Sequence, residues 1–211
     1  MMTRVSEQEP VIFVVDDDAS VRRALDNLLR SKGFRVQAFA SVEEYRESEL
    51  PDAPACMVLD VRMPGQSGLE FQREINESGP QIPIIFITGH GDIPMSVGAM
   101  KAGAIEFLTK PFSDQDLVGA IHIGLEKDRA RRRDNEVLTT LRARYETLTA
   151  REREVMASVV VGKMNKQIAA DVNLSEISVK VHRGQVMRKM RASSLAELVR
   201  IADKLGVSSP L

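Results

Sequence analysis

Residues 56–60 read CMVLD, four apolar positions closed by the carboxylate of Asp60. Four more short apolar runs share this character: VIFVV (11–15), FRVQAF (34–39), PIIFIT (83–88) and IEFL (105–108). Runs of this length, rich in β-branched residues, read as strands buried on both faces. Helix-patterned segments lie between them, at 20–33, 41–49, 67–78, 94–103 and 113–126. In the first of these Val21, Leu25, Leu28 and Leu29 share one face, and Gly33 stops it. Ser41 and Glu44 make a capping box at the start of the second. Strict alternation of strand and helix predicts an α/β fold, a five-stranded parallel sheet wound with helices on both faces.

Such a sheet brings distant residues to one edge. Asp16 and Asp17 follow the first strand, Asp60 ends the third, Thr88 ends the fourth and Lys110 follows the fifth. All five are predicted at the carboxyl edge, where open α/β sheets bind ligands. Two adjacent carboxylates beside a third are costly without a cation between them. A hard, oxygen-seeking ion such as Mg²⁺ (or Mn²⁺) suits the set. Asp16 and Asp17 are read as its holders, and Asp60 as both ligand and nucleophile toward phosphorus. Lys110 would pair with phosphoryl oxygens and Thr88 would hydrogen-bond them.

The chain's 211 residues and net charge of −1 conceal a polarity. Residues 1–125 carry 11 Lys+Arg against 19 Asp+Glu, or −8; residues 126–139 carry 5 against 4, or +1; residues 140–211 carry 13 against 7, or +6. A basic carboxy-terminal part points to nucleic acid. The single cysteine, Cys56, excludes an intrachain disulfide and reads as a buried filler in a cytoplasmic protein. No apolar run approaches the roughly 18 residues a membrane span needs, so no membrane partner is expected.

After residue 126 the run EKDRARRRDNE has no apolar stripe and reads as a solvated helix or flexible linker. Leu138, Leu141, Tyr145 and Leu148 then recur at three- and four-residue steps, a sticky helical edge too short to establish a coiled coil. The remainder is helical. Thr149 with Glu152 and Ser194 with Glu197 form capping boxes, while Asn165 and Ser175 are read as caps of a short helix and a longer basic one. Those two helices, joined by a tight turn at Asn173 and Leu174, make a helix-turn-helix. Lys180 and Arg183 are expected on base edges or phosphates, Lys166 and Lys189 on phosphates, and Val181 against a thymine methyl. Val179, Val186 and Met190 are assigned to the core, and His182 to either role. Gly184 sits mid-helix at a cost of about 1 kcal/mol relative to Ala, and there lets helix and DNA approach closely. The predicted domains are 1–126, a charged helical linker 127–145, and 146–211.

The motifs VVDDD, VLDVRMPGQSG, ITGHGD and FLTKPF resemble the receiver domain of two-component response regulators. LTAREREV, NKQIAADVNLS and SVKVHRGQVMRKM resemble the LuxR-type helix-turn-helix. Together they resemble the NarL/FixJ group. The resemblance implies a flavodoxin-like receiver followed by an all-α four-helix DNA-binding domain. It also implies phosphoryl transfer from a sensor histidine kinase to Asp60, with the backbone carbonyl of Arg62 added to the metal's ligands. Thr88 would move toward the phosphate while Phe107 changes rotamer, and Lys110-Pro111 would be a cis peptide. Further implied partners are a double-stranded DNA operator and RNA polymerase, with activation of transcription favoured.

A phosphoryl group of charge about −1.5 to −2 draws in a hydroxyl and an ammonium, so self-association of the chain as a homodimer is expected through residues 94–101 and the strand holding Phe107. Arg62 and His90, two residues beyond Asp60 and Thr88, are read as setting the phosphoryl lifetime. Two alternatives stay open on sequence. One is a constitutive DNA-binding regulator with an inactive receiver. The other is a haloacid-dehalogenase-type phosphatase using Asp16, Asp18 and Ser20.

Overall fold

The computed structural model describes residues 9–78, 81–89 and 91–207. The chain divides into two units, Met1–Arg132 and Arg133–Leu211. In the first, five strands form one parallel sheet: β1 (Val11–Val15), β2 (Arg35–Phe39), β3 (Ala55–Asp60), β4 (Ile84–Thr88) and β5 (Glu106–Thr109). Their order is β2-β1-β3-β4-β5. Every residue of β1, β3 and β4 is buried, which is why those runs are apolar without alternation. The outer strand β2 mixes exposed and buried positions, and β5 has only exposed and half-buried ones.

Helices α1 (Ala19–Ser31), α2 (Val42–Glu47), α3 (Gly68–Ser78), α4 (Ile93–Lys101) and α5 (Asp114–Glu146) alternate with the strands. Two hydrophobic layers result. Ile12, Val14, Val58, Ile85 and Ile87 meet α1 and the start of α5 on one face. On the other, Phe13, Leu59 and Phe86 meet Tyr45, Phe71 and Ile75. The ring of Tyr45 packs edge-on against Phe13, Phe39 and Phe71 with centroids 5.4–5.8 Å apart. Cys56 is buried, and burial pushes its thiol up to about 12, consistent with inert filling. Helix starts follow their caps: Ser41 Oγ accepts from Glu44 N–H, and Asp92 accepts from Met95 N–H.

Of the two readings of the charged run after residue 126, the helix is the one found: α5 continues through it as one helix of 33 residues. It is not solvated throughout. The exception is Asp128, whose side chain is 1 % exposed. Its carboxylate accepts the N–H of Ala55 at 3.0 Å, at the beginning of β3, and is bracketed by Arg131 and Arg132. Arg132 also reaches Asp52 at 2.6 Å. Sequence periodicity treats charges as solvent-facing; here one is neutralised inside the fold. Removing one partner from a buried ion pair costs roughly 3 kcal/mol or more, and the Ala55 N–H would lose its acceptor. Asp128→Ala should therefore destabilise the first unit by about 3 kcal/mol, read as a lower urea midpoint; a change under about 0.5 kcal/mol would refute this role.

The second unit comprises the end of α5 with α6 (Ala150–Val160), α7 (Asn165–Asp171), α8 (Glu176–Met190) and α9 (Leu195–Leu205). Leu141 and Leu148 are 6 % and 3 % exposed in its core, and Tyr145 packs against them. Three of the four residues of the sticky edge are thus taken into this core. The Thr149–Glu152 capping box forms as read. Asn165 is not a cap: Met164 holds that position, its N–H donating to Gln167 Oε1 at 2.8 Å, and Asn165 is the first helical residue.

Candidate phosphoacceptor site and DNA-reading helix

At the carboxyl edge of the sheet, β1 and β3 run side by side with Val15 opposite Leu59. The residues that follow or close these strands, Asp16 and Asp60, are therefore lateral neighbours. The connection from β1 leads to β2 on one side and that into β3 crosses to the other, so the site lies where the chain reverses its winding. The ammonium of Lys110, just beyond β5, reaches back to both carboxylates: Nζ lies 2.7 Å from Asp16 Oδ2 and 2.8 Å from Asp60 Oδ1. The remaining oxygens are also held. Asp16 Oδ1 accepts Asp18 N–H at 2.9 Å, and Asp60 Oδ2 accepts Arg62 N–H at 2.7 Å. The Asp16 side chain is 1 % exposed and that of Asp60 9 %, so Asp60 is the one open to an incoming group.

Burial raises the carboxyl of Asp16 above its ordinary range, against the opposing hydrogen bonds from Lys110 and Asp18. Burial also disfavours the charged form of Lys110, but hydrogen bonds to Asp16 and Asp60 outweigh it and hold the ammonium above the usual lysine range. Two carboxylates share one cation, and the cluster is left with excess negative charge.

Asp17, by contrast, is exposed. Among the described residues no group of three His, Cys, Asp or Glu stands ready around a metal ion. The expected trio of Asp16, Asp17 and Asp60 is thus not preassembled, because Lys110 lies between two members and the third faces solvent. The donor chemistry still fits a hard divalent cation: carboxylate oxygens predominate, and their charge is uncompensated.

Thr88 ends β4, pairs in register with Thr109 and is buried. Phe107 lies on β5 beside Phe86, ring centroids 6.1 Å apart. The Lys110-Pro111 peptide is cis. His90 falls outside the described residues. Arg62 is exposed beside Asp60.

Two glycines belong to the site although sequence gave no reason to include them. A Cβ on Gly68 would stand 2.4 Å from the backbone oxygen of Asp60. A Cβ on Gly91 would stand 2.9 Å from the Phe107 ring and 3.1 Å from the methyl groups of Thr88 and Thr109. Gly91 thus rests directly on the two residues assigned to the switch. Their only sequence signal was a glycine within each motif. The phosphatase alternative loses its loop: Asp18 is the N-cap of α1, accepting Ser20 N–H at 2.7 Å.

In the second unit, α7 and α8 form the helix-turn-helix, with Asn173 at φ 51° in the turn. Val179, Val186 and Met190 are buried as assigned. Lys166, Lys180, Val181 and Gly184 are exposed. Two residues expected at DNA also have partners within the unit. Lys189 Nζ lies 2.6 Å from the buried Glu152 and 3.0 Å from the Thr147 carbonyl. Burial works against the Glu152 carboxylate, yet Lys189 holds its pKa below the ordinary range. Arg183 is half-buried and donates to Asn165 Oδ1 at 3.2 Å. Both lie toward the packed side of α8, which a count of basic residues does not distinguish from the groove side.

Comparison with known proteins agrees with this architecture. Residues 12–122 match the response regulator receiver domain, and residues 146–208 match the luxR family of bacterial regulatory proteins. The chain is 53 % identical over 199 residues to Nodulation protein W of Bradyrhizobium diazoefficiens, covering 94 % of this chain and 88 % of that one. It is 42 % identical over 197 residues to Transcriptional regulatory protein FixJ of Azorhizobium caulinodans, covering 93 % of each. Among solved structures, Response Regulator StyR superposes with a TM-score of 0.80 at 49 % identity, covering 93 % of this chain and 99 % of that one. With a receiver whose acidic edge is intact and a LuxR-type helix-turn-helix behind it, the chain belongs to the two-component response regulators of the NarL/FixJ group, which regulate transcription.

Proposed function

We propose that Asp60 accepts a phosphoryl group from a sensor histidine kinase and that this event controls dimerisation and DNA binding. The observation that carries the proposal is the Lys110 ammonium bridging Asp16 and Asp60 beside the end of β4. A carboxylate oxygen of Asp60 attacks phosphorus, the bond from phosphorus to the kinase's imidazole nitrogen breaks, and an acyl phosphate results. The Arg62 N–H holds the other Asp60 oxygen and so orients the attacking one. Lys110 follows the new negative charge, and the Thr88 hydroxyl donates to a phosphoryl oxygen. Mg²⁺, which Asp16, Asp17, Asp60 and the Arg62 carbonyl would hold, supplies charge neutralisation at the phosphoryl oxygens when bound. Beside Lys110, a groove of about 410 Å³ lined by Val21, Leu25, Leu28, Pro111 and Phe112 offers an apolar approach for the kinase.

Movement of Thr88 draws on Gly91 and Phe107, the groups packed around it. The change is thereby handed to α4, which exposes Ile93, Val97 and Met100. We assign phosphorylation-driven pairing to this face together with β5. Arg62, exposed beside Asp60, and His90 set the phosphoryl lifetime. The resulting dimer binds a twofold operator in the cytoplasm and recruits RNA polymerase, with activation as the outcome.

With Mg²⁺ and acetyl phosphate, the intact mass should rise by one phosphoryl group and the sedimentation coefficient should move from monomer to dimer. Going from a rare to a dominant dimer-competent state takes roughly 5 kcal/mol of differential stabilisation. Uptake with unchanged sedimentation and unchanged DNA affinity would instead favour a constitutive DNA-binding regulator.

A further inference from the structure

The second helix of the helix-turn-helix, α8, divides cleanly by burial. Val179, Val186 and Met190 lie on one side and are at most 1 % exposed. On a 3.6-residue turn the opposite side is made of Ile177, Val181 and Gly184, spaced i, i+4 and i+7. Ile177 is 79 % exposed and Val181 58 %. Nothing lies within 4 Å of where a Gly184 side chain would begin. Exposed Lys180 borders this stripe, and exposed Arg188 continues it one turn further along. Two branched apolar side chains therefore stand in solvent on a helix face edged by cations. Surface apolar residues grouped in this way mark a binding surface more often than chance exposure.

The cations say what that surface meets. DNA presents phosphates to Lys180 and Arg188, and its major groove presents one apolar group, the thymine methyl. We propose that Ile177, together with Val181, reads thymine methyl groups and is a specificity-determining residue of this regulator. The residues at the start of the second helix face base edges in this docking geometry, and Ile177 is the second residue of α8. Four residues of helix rise about 6 Å, against about 3.4 Å per base step on one strand. Ile177 and Val181 thus address positions about two steps apart in each half-site. Gly184 adds no bulk at the third position, so the helix settles deep enough for both contacts. Lys180 anchors the phosphate backbone at the edge of the stripe.

The inference rests on DNA binding by this helix, not on phosphorylation control. The full-length chain is used to select duplexes from a random pool, both with and without acetyl phosphate and Mg²⁺. Each thymine of the best duplex is then replaced singly by deoxyuridine, which removes only the methyl group. One or two positions per half-site should weaken the wild-type protein roughly fourfold each, the loss of one buried methyl contact. Ile177→Ala should bind the thymine duplex more weakly by a similar factor and be indifferent to deoxyuridine at one of those positions. Val181→Ala should be indifferent at the other. Both changes lie on an exposed face and favour helix, so folding is retained. Failure to select any duplex, no fixed thymine, or equal deoxyuridine losses in wild type and Ile177→Ala would each overturn the proposal. Selection that succeeds equally without acetyl phosphate, with the methyl dependence intact, counts against phosphorylation control alone.

Discussion

Asp60→Asn should yield a folded protein that takes up no phosphoryl group and whose DNA affinity and sedimentation ignore acetyl phosphate. The amide is a poor nucleophile and carries no charge for a metal ion, yet its oxygen can still accept the Arg62 N–H that Asp60 accepts at 2.7 Å. Lys110 keeps Asp16 at 2.7 Å. One of two carboxylates competing for a single ammonium has been removed, so the stability change should stay within about 1 kcal/mol. The functional loss is far larger. A switch from 1:99 to 99:1 rests on about 5.5 kcal/mol, or roughly 10⁴-fold in differential affinity, and all of it depends on the phosphoryl group. Intact-mass measurement after treatment with acetyl phosphate checks the first part, and sedimentation the second. Uptake at anything near the wild-type level would place the acceptor elsewhere.

Lys110→Met should produce the largest stability loss at the site. The substitution leaves two buried or nearly buried carboxylates facing one another without a cation. Breaking such a set costs about 3–5 kcal/mol when fully buried; the Lys110 side chain is 25 % exposed, so about 2–3 kcal/mol is expected. Millimolar Mg²⁺ should recover much of this, because a ligand present at 100 times its Kd stabilises by about 2.7 kcal/mol. The pH dependence has a definite sign. Burial already raises the Asp16 pKa in the folded protein above the ordinary carboxylate range, and loss of Lys110 raises it further. The folded state then binds more protons than the unfolded one, so stability falls as pH rises through that window and recovers on acidification. Thermal unfolding of the variant between pH 7 and pH 5, with and without Mg²⁺, provides the measurement. A variant as stable as wild type, or one insensitive to Mg²⁺, would show that Lys110 does not neutralise the pair.

Much of the receiver unit was legible because its three central strands are buried on both faces. VIFVV coincides with β1 residue for residue, and CMVLD falls one residue short of β3. Caps located helix starts, as at Ser41 and Thr149, because a hydroxyl accepting a backbone N–H is a local event. The miss at Asn165 came from a cap made by the glutamine three residues along, a bond from backbone to side chain that does not require a polar residue at the cap itself. Charge was the least legible property. Asp128, Lys189 and Arg183 all lie in polar runs, and each is turned inward by a partner distant in sequence or on a neighbouring helix.

By itself, the order of apolar runs and polar ends determined the sheet, its carboxyl edge and the identities of Asp16, Asp60, Thr88 and Lys110, since strand burial and parallel winding follow from local pattern. Tertiary structure alone decided which charges face one another. It placed Lys110 between Asp16 and Asp60, left Asp17 in solvent, joined Asp128 to the start of β3, and set Ile177 opposite the core of its helix. An ion pair or an exposed face depends on which atoms meet in space, and Coulombic and packing energies fall off over a few ångströms that residue spacing does not encode.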